Sequence, residues 1–402
     1  MKIPIKKNNQ NENKKITLLN QGTYGCVFHP GIKCSGKKEE AKYVSKIQRS
    51  DITIDNEISI GEKIIKIKDY SLYFAPIIKS CPLELSKVQI ENDELQKCEV
   101  ITKDTTSNFV VNKIRYISNK NLRERFTEIK DAVLGQPNKP IIKLLKTMVK
   151  DHLYVLEGLR LLSEKGIVHY DLKDNNVLYD IDRKIPIIID FGLSIDMSKL
   201  NRNNYKMAFY DFNFDYPYWC IDITILSYIV KELGELWDQQ KVDMNKINEI
   251  LQTQIVKLQF FTEILTQEER NKWLLDYKTY YSKFENKYYV DILNELLTFY
   301  KSWDNYSMAA IILIYIYSNN LSSDSTFVPY IQLLKDIVLR IPPERPTSEN
   351  TIKTIKQTLK FNREQNPFLR TSIARKENVQ PPQQNQQPEP QPQQPQPQPQ
   401  LQ

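Results

Sequence analysis

Between residues 16 and 117 the apolar positions alternate with polar ones in short runs, which is the pattern of β-strands. The chain predicts strands at 16–19, 26–28, 43–47, 74–78 and 109–111. One helix interrupts them, because isoleucines recur at helical spacing from Ile54 to Ile64 after Asp51, a good N-cap residue. The polar stretch 91–107 is long for a hairpin loop, so we expect a surface excursion there.

The second part of the chain has helical spacing. Residues 141–165 form one amphipathic pattern that ends at Gly166, a common C-terminal stop. Short apolar runs at 177–179 and 187–189 predict two strands, and helical patterns follow one another from 221 to 358. We therefore predict an α+β fold, with a small antiparallel sheet plus one helix followed by a larger, mainly helical region.

A glycine-containing turn, Leu19-Asn-Gln-Gly-Thr-Tyr-Gly-Cys-Val27, joins the first two predicted strands. Gly22 and Gly25 would let backbone N–H groups approach a polyphosphate closely, although an ordinary turn is the commoner interpretation of such a segment alone. The third strand carries Lys46. This lysine either faces solvent at a sheet edge or pairs with a phosphate or carboxylate.

The strongest chemical signal lies at 166–179, where a helix ends, a polar loop follows and a short strand begins. Phosphoryl transfer to a hydroxyl needs a carboxylate to take the proton, a cation near the transferred group and oxygen ligands for Mg²⁺. Asp171, Lys173 and Asn176 suit these three roles. Asp190, at the end of the next apolar strand, adds a hard carboxylate ligand.

Together these segments resemble the serine/threonine branch of the protein kinase family. The glycine-rich loop, the strand lysine, H-x-D-L-K-x-x-N and D-F-G occur in the family's order, and the resemblance covers residues 16–360. It implies a bilobal fold, with an N-lobe at 16–116, a C-lobe at 117–360 and ATP in the cleft. The loop would then cover the nucleotide through Leu19, Asn20, Gln21, Gly22, Thr23, Tyr24, Gly25, Cys26 and Val27.

The resemblance also implies roles for the remaining site residues. Lys46 would contact the α- and β-phosphates and pair with a helix glutamate, for which Glu57 fits the family pattern and Glu62 is the alternative. We expect Glu57.

In the catalytic loop, Asp171 would be the base and Lys173 would neutralise charge on the γ-phosphate. Asn176 and Asp190 would hold Mg²⁺, and His169 would support the loop beneath the D-F-G turn.

Some positions depart from the family pattern. Asn20 stands where the first loop glycine is usual, and Tyr170 replaces the arginine that normally receives an activation-loop phosphate. Asp222 resembles the first residue of the large central helix and would tie down the catalytic loop. Arg345 resembles the arginine near the end of kinase domains, but no A-P-E motif precedes Asp222, so its usual glutamate partner is missing or differently supplied.

Composition narrows the range of partners and sites. The formal net charge is +7, of which a large part lies in the basic arm 1–15, and a near-balanced body is poor evidence for nucleic-acid binding. The five cysteines have no C-x-x-C spacing, so we expect neither a disulfide framework nor a zinc site, and a reducing compartment. No apolar run approaches the length of a membrane span.

The C-terminal end is compositionally distinct. After a linker at 361–380, residues 381–402 are almost only proline and glutamine, which predicts a disordered tail, a spacer or a ligand of SH3- or WW-like domains. The lysine-, asparagine- and isoleucine-rich composition looks like kinases of large cytoplasmic DNA viruses of the mimivirus kind. That likeness implies action in the host cytoplasm, with packaging into the particle as a further option.

Three functions compete on this sequence. An active serine/threonine kinase acting as a monomer on protein substrates explains all of the catalytic residues. A pseudokinase usually lacks the lysine, the base or the D-F-G aspartate, and here Lys46, Asp171 and Asp190 are all present. A small-molecule phosphotransferase of the aminoglycoside or choline kinase type would share the fold, but Lys173 and Gly192 favour the protein kinases.

Overall fold

The computed structural model describes residues 15–22, 25–84, 92–103, 108–118, 120–135 and 141–359. The predicted linker and tail, all of the basic arm except Lys15, and Thr23 and Tyr24 of the glycine-containing turn lie outside these ranges. Within them the protein is α+β, with a small antiparallel sheet followed by many helices, and this architecture is compatible with a bilobal fold.

The N-terminal sheet has five strands in the order β1-β2-β3-β6-β5, and each neighbouring pair is antiparallel. Its strands are β1 (Thr17–Gly22), β2 (Gly25–His29), β3 (Tyr43–Arg49), β5 (Ile77–Leu83) and β6 (Phe109–Arg115). Helix α1 (Ile52–Ile64) packs on β5. As predicted, Asp51 caps α1, since its side chain accepts from the backbone of Thr53 and Ile54.

The single strand predicted at 74–78 is wrong. The chain forms β4 (Phe74–Ala75) and β5, separated by Pro76, which has no backbone N–H to continue a ladder. Strand β4 pairs in parallel with β9 (Ile185–Ile189), which also pairs with β8 (Val177–Asp180). The polar loop that contains Asp171 leads directly into β8 of this small second sheet.

The expectation of unpaired cysteines is also wrong. Cys26 is bonded to Cys98 and Cys34 to Cys81, while Cys220 is free and buried. The disulfide partners are 72 and 47 residues apart, so no local spacing indicates them. Cys98 lies between α2 (Asn92–Gln96) and α3 (Glu99–Thr102), in the stretch that was predicted to be a surface excursion. Instead, Cys98 joins the hydrophobic core of the sheet.

The helical region is built around two buried helices, α5 (Ile142–Glu164) and α12 (Trp303–Ser318). Helix α5 confirms the pattern at 141–165. The other elements of this region are α4 (Leu122–Leu134), β7 (Ile167–Val168), β10 (Ile195–Asp196), α6 (Tyr205–Ala208), α7 (Ile221–Ser227), α8 (Met244–Lys257), α9 (Gln259–Ile264), α10 (Gln267–Ser282), α11 (Tyr289–Thr298), α13 (Val328–Leu339) and α14 (Ser348–Thr358). None of the helices in the described ranges combines the length and apolarity that crossing a bilayer requires.

In the helical stretch between Leu236 and Asp304, aromatic side chains form part of the core. Trp273, Tyr277 and Tyr281 of α10 are buried, with Trp273 and Tyr277 rings 4.3 Å apart. The segment connects α7 to α12. It therefore lies between the two helices whose first turns carry Asp222 and Asp304.

Candidate active site

A cleft of about 480 Å³ lies between the N-terminal sheet and the β8–β9 hairpin. The N-terminal sheet contributes the apolar side chains of Val27 and Val44, and the second sheet contributes Ala75 of β4, Leu178 of β8 and Ile189 of β9. Such a slot, apolar on both faces, suits a flat aromatic base. An adjoining cavity of about 630 Å³ continues it toward Asp171 and Tyr216.

The predicted loop residues divide into two groups. Leu19, Asn20 and Val27 line the cleft, and Gly22 lines the adjoining cavity. Gly25 is required by packing, because a Cβ there would lie 2.4 Å from the carbonyl oxygen of Ile47 on β3.

Two other residues of this loop contact the excursion at 92–103 instead of the cleft. Gln21 accepts a hydrogen bond from the backbone N–H of Glu99, and Cys26 is fully buried in its disulfide. Their side chains therefore hold the excursion at 92–103 against β1 and β2. Neither residue lines the cleft.

Lys46 on β3 meets two carboxylates. Its Nζ lies 3.0 Å from Asp190 Oδ1 and 3.4 Å from both carboxylate oxygens of Glu57. Glu57 lies on α1, is buried and also accepts from Gln48 Nε2 at 3.3 Å. Glu62 is exposed on the same helix, so Glu57 is the partner of the lysine, as predicted.

These three groups perturb one another. Burial raises the pKa of Glu57, and the like charge of Asp190 acts in the same direction. Burial also acts to raise the pKa of Asp190, but Lys46 outweighs it and holds that pKa below its usual range. The pKa of Lys46 is raised despite burial, because two carboxylates face it. The lysine therefore stays charged between them.

The carboxylate of Asp171 lies on the loop before β8 and receives several donors. Lys173 Nζ is 2.8 Å from Oδ2, and Asn176 Nδ2 donates to Oδ2 at 3.0 Å and to the backbone carbonyl of Asp171 at 2.8 Å. The hydroxyl of Tyr216 donates to Oδ1 at 2.6 Å. The loop thus fixes the carboxylate before any substrate is present.

The backbone of this loop is held by Asp304, at the start of α12. Its carboxylate accepts from the N–H of His169 at 2.7 Å and of Tyr170 at 2.9 Å. Tyr170 has φ of 69°, a left-handed conformation that costs energy in a tyrosine and needs such support. Trp219 Nε1 donates to the carbonyl of Tyr170 at 2.8 Å.

The role predicted for Asp222 is therefore wrong. Asp304 ties down the loop, while Asp222 forms a two-pronged pair with Arg345 at 2.9 and 3.0 Å, with both side chains fully buried. Asp222 thus supplies the acidic partner that Arg345 lacked in the sequence. Both aspartates begin helices with similar apolar patterns, so only the fold separates their roles.

His169 supports the D-F-G turn, as predicted. Its Nε2 donates to the carbonyl of Ile189 at 2.9 Å, and its ring lies 5.2 Å from that of Phe191. Asp190 has φ of 61°, which turns its carboxylate into the cleft, where the side chain is 44% exposed. Aspartate tolerates this backbone region better than most residues.

The donor set fits a magnesium ion bound together with a nucleotide. Asn176 directs its amide nitrogen at Asp171, which leaves the amide oxygen as its possible metal ligand, and Asp190 offers a carboxylate. No group of three or more His, Cys, Asp or Glu side chains suited to a metal occurs in the described part of the chain. Mg²⁺ at phosphate-transfer sites uses one or two protein carboxylates plus phosphates, so two protein ligands are sufficient.

Comparison with known proteins finds a short local similarity. Over 38 residues the chain is 45% identical to the Serine/threonine-protein kinase 1 of African swine fever virus. The match covers 10% of this chain and 13% of the length of that viral protein. No family model matches the chain. The similarity therefore hints at a relationship with a viral kinase. The function has to be inferred mainly from the geometry of the site.

Proposed function

We propose that the protein is a serine/threonine protein kinase that transfers the γ-phosphoryl group of Mg·ATP to a hydroxyl of a protein substrate. The observation that carries this proposal is the position of the Asp171 carboxylate. It is held by Lys173 and Asn176 and opens into a cavity that Lys46 and Asp190 also line. The short similarity to a viral kinase agrees with it.

In this proposal the cleft binds ATP with its base between Val27 and Val44 on one side and Leu178 on the other. Lys46, kept charged by Glu57 and Asp190, contacts the phosphates. The pairing with Glu57 fixes the lysine side chain, so little rotamer entropy is lost when the nucleotide binds.

Asn176 and Asp190 would hold the Mg²⁺, which when bound supplies charge neutralisation and orientation of the phosphates. Asp171 orients the acceptor hydroxyl and takes its proton as the new bond forms. Lys173, 2.8 Å from Asp171, places a positive charge near the transferred group. The protein therefore contributes mainly positioning and electrostatics.

A pseudokinase is less well supported, because Lys46, Asp171 and Asp190 are all present and make the contacts described. We further propose protein substrates and a monomeric enzyme. The two disulfides argue against the reducing host cytoplasm that was expected from the cysteine spacing. An enzyme of this type needs neither nucleic acid nor a membrane.

The test is transfer of labelled γ-phosphate from Mg·ATP to casein, followed by phosphoamino acid analysis. Asp171→Ala should lower turnover by at least about 10²-fold, with little loss of ATP affinity, because the residue acts on the acceptor and not on the nucleotide. The matched control is Asp174→Ala in the same loop, whose carboxylate pairs with Arg123 at 3.1 Å outside the site. Full activity in Asp171→Ala would overturn the proposal.

A further inference from the structure

Gln48 is a buried amide in the N-terminal sheet, beside the lysine of the cleft. It lies two residues after Lys46 on β3, so the two side chains point to the same face of the sheet. Gln48 also lines the cavity of about 630 Å³ that continues the cleft. Because burying an amide costs free energy unless its hydrogen bonds are made inside the protein, its partners indicate its role.

The first partner of Gln48 is Glu57. Gln48 Nε2 donates to Oε2 of Glu57 at 3.3 Å, while Lys46 Nζ lies 3.4 Å from both carboxylate oxygens. These lysine contacts are longer than the distance of about 2.7–2.9 Å that is typical of a close ion pair. The lysine alone therefore leaves the rotation of the carboxylate poorly fixed, and the donor from Gln48 restricts it.

The second partner, Asn112, fixes the orientation of the glutamine amide. Asn112 lies on β6 opposite Lys46, is fully buried, and donates from Nδ2 to Gln48 Oε1 at 2.9 Å. An ionised carboxylate only accepts, so Gln48 must turn Nε2 to Glu57 and Oε1 to the asparagine. Asn112 Oδ1 is buried with no hydrogen-bond partner among the described residues, which destabilises the fold. Stability alone therefore does not account for this asparagine.

The aliphatic part of Gln48 packs under the glycine-containing turn. Gly25 on β2 is opposite Gln48 in the ladder, and a Cβ at Gly25 would lie 2.6 Å from Gln48 Cγ. The glutamine thus contacts β2, α1 and β6 at one point beside Lys46. A change at this point can reach the lysine without touching the nucleotide cleft directly.

We propose that Gln48, oriented by Asn112, is a positioning residue for phosphoryl transfer that sets the place of Lys46 through Glu57. This inference rests on the proposed kinase activity. Without the amide, Glu57 is free to rotate, and Lys46 keeps Asp190 as its nearer carboxylate at 3.0 Å. The lysine would then be drawn toward the proposed magnesium ligand and away from the phosphates. The expected consequence is weaker binding of Mg·ATP, with binding of the protein substrate unchanged.

The experiment measures kcat and the KM values for ATP and casein in the transfer of labelled γ-phosphate. Gln48→Met keeps the length of the side chain and removes its amide. We expect the KM for ATP to rise about tenfold, the factor typical of one lost hydrogen bond to a charged group, and the KM for casein to stay the same. A glutamine that only stabilised the sheet would change the active fraction, and therefore kcat, with both KM values unchanged.

The matched control is Gln254→Met. Gln254 is a buried glutamine of α8 whose Oε1 has no hydrogen-bond partner in the described ranges, and it does not line the cleft or the adjoining cavity. This variant also removes a buried amide, but it should leave both KM values as in the wild type. A raised KM for ATP in Gln254→Met as well would overturn the assignment to Gln48.

A double variant separates positioning from stability. In Gln48→Met the Asn112 amide loses its partner, so adding Asn112→Leu, which makes both positions apolar, should recover part of the lost stability in urea unfolding. The KM for ATP should stay as high as in Gln48→Met, since Asn112 acts only through Gln48. A wild-type KM for ATP in folded Gln48→Met, or a KM that recovers together with stability, would overturn this inference and leave the kinase in place. No transfer by the wild type would overturn the proposed function itself.

Discussion

Among the ion pairs of the described residues, two groups of opposite charges differ in a way that distinguishes a candidate site from a structural support. The first, the cleft cluster, is Lys46 with Glu57 and Asp190; the second, the buried pair, is Asp222 with Arg345. In the cleft cluster two carboxylates share one lysine, and Asp190 is 44% exposed. In the buried pair one anion meets one cation, and both side chains are fully excluded from solvent.

The surroundings extend this contrast. The buried pair receives further hydrogen bonds from Trp303 Nε1 to Asp222 at 3.2 Å and between Arg345 and the Tyr277 hydroxyl at 2.9 Å. The cleft cluster has surplus negative charge that faces an open cavity. Unbalanced negative charge at the mouth of a cavity favours binding of a cation or a substrate. An ion pair of equal and opposite charges in the interior instead holds two segments of the fold together.

The largest effect is expected from breaking the buried pair. Arg345→Met leaves Asp222 charged and without its partner in the interior, which should cost about 3–5 kcal/mol of unfolding free energy. Urea denaturation followed by circular dichroism measures this loss. The control is Arg340→Met, which removes an exposed partner of Asp336 and should cost less than about 1 kcal/mol. Equal losses in the two variants would remove the contrast between the clusters.

In the cleft cluster we expect a smaller effect, and it should fall on enzymatic activity instead of on stability. Lys46→Met should lower phosphoryl transfer by at least about 10²-fold, because the charge facing the phosphates is lost. Its midpoint of urea unfolding should shift less than that of Arg345→Met. The matched control is Lys113→Met in the same sheet, whose partner Glu39 at 2.9 Å lies away from the cleft. Loss of activity in both lysine variants would point to a damaged sheet.

The polar loop at 166–179 and most helices and strands could be predicted, because their signals are local. His169, Asp171 and Asn176 fall within one short stretch, and the helix and strand patterns around it follow from periodicity. The pairing of Lys46 with Glu57 also followed, since both residues belong to a recognisable family pattern. The contacts of these residues agree with the expectation, while their catalytic roles stay predictions.

Other features depend on contacts between distant segments, which periodicity does not reveal. Nothing local in the sequence joins Cys26 to Cys98, or separates Asp304 from Asp222 as the support of the loop. Asp304, in Trp303-Asp-Asn-Tyr-Ser-Met-Ala309, begins a helix as Asp222 does, so both residues fit the pattern and the sequence does not choose between them. Tyr216 carried no signal at all, because its importance lies in a hydrogen bond to a residue 45 positions away.

The smallest effect concerns Asp151, a buried carboxyl group outside both clusters. Its Oδ2 has no hydrogen-bond partner in the described part of the protein, unlike the carboxylate oxygens of Asp222. Burial raises its pKa to about 7, against the opposing charges of Lys150 and Arg125, and Tyr179 and Tyr330 face it.

Because the folded pKa of Asp151 lies above the unfolded value, its contribution to stability is complete below about pH 4 and is lost as pH rises through 7. Asp151→Asn mimics the protonated form at every pH. Its Tm relative to the wild type should therefore rise by a few degrees between pH 5 and pH 8, as measured by calorimetry. Asp131→Asn, at an exposed carboxylate of α4, should show no such trend. Parallel Tm profiles for Asp151→Asn and the wild type would mean that Asp151 is stabilised as an anion, as the buried pair stabilises Asp222.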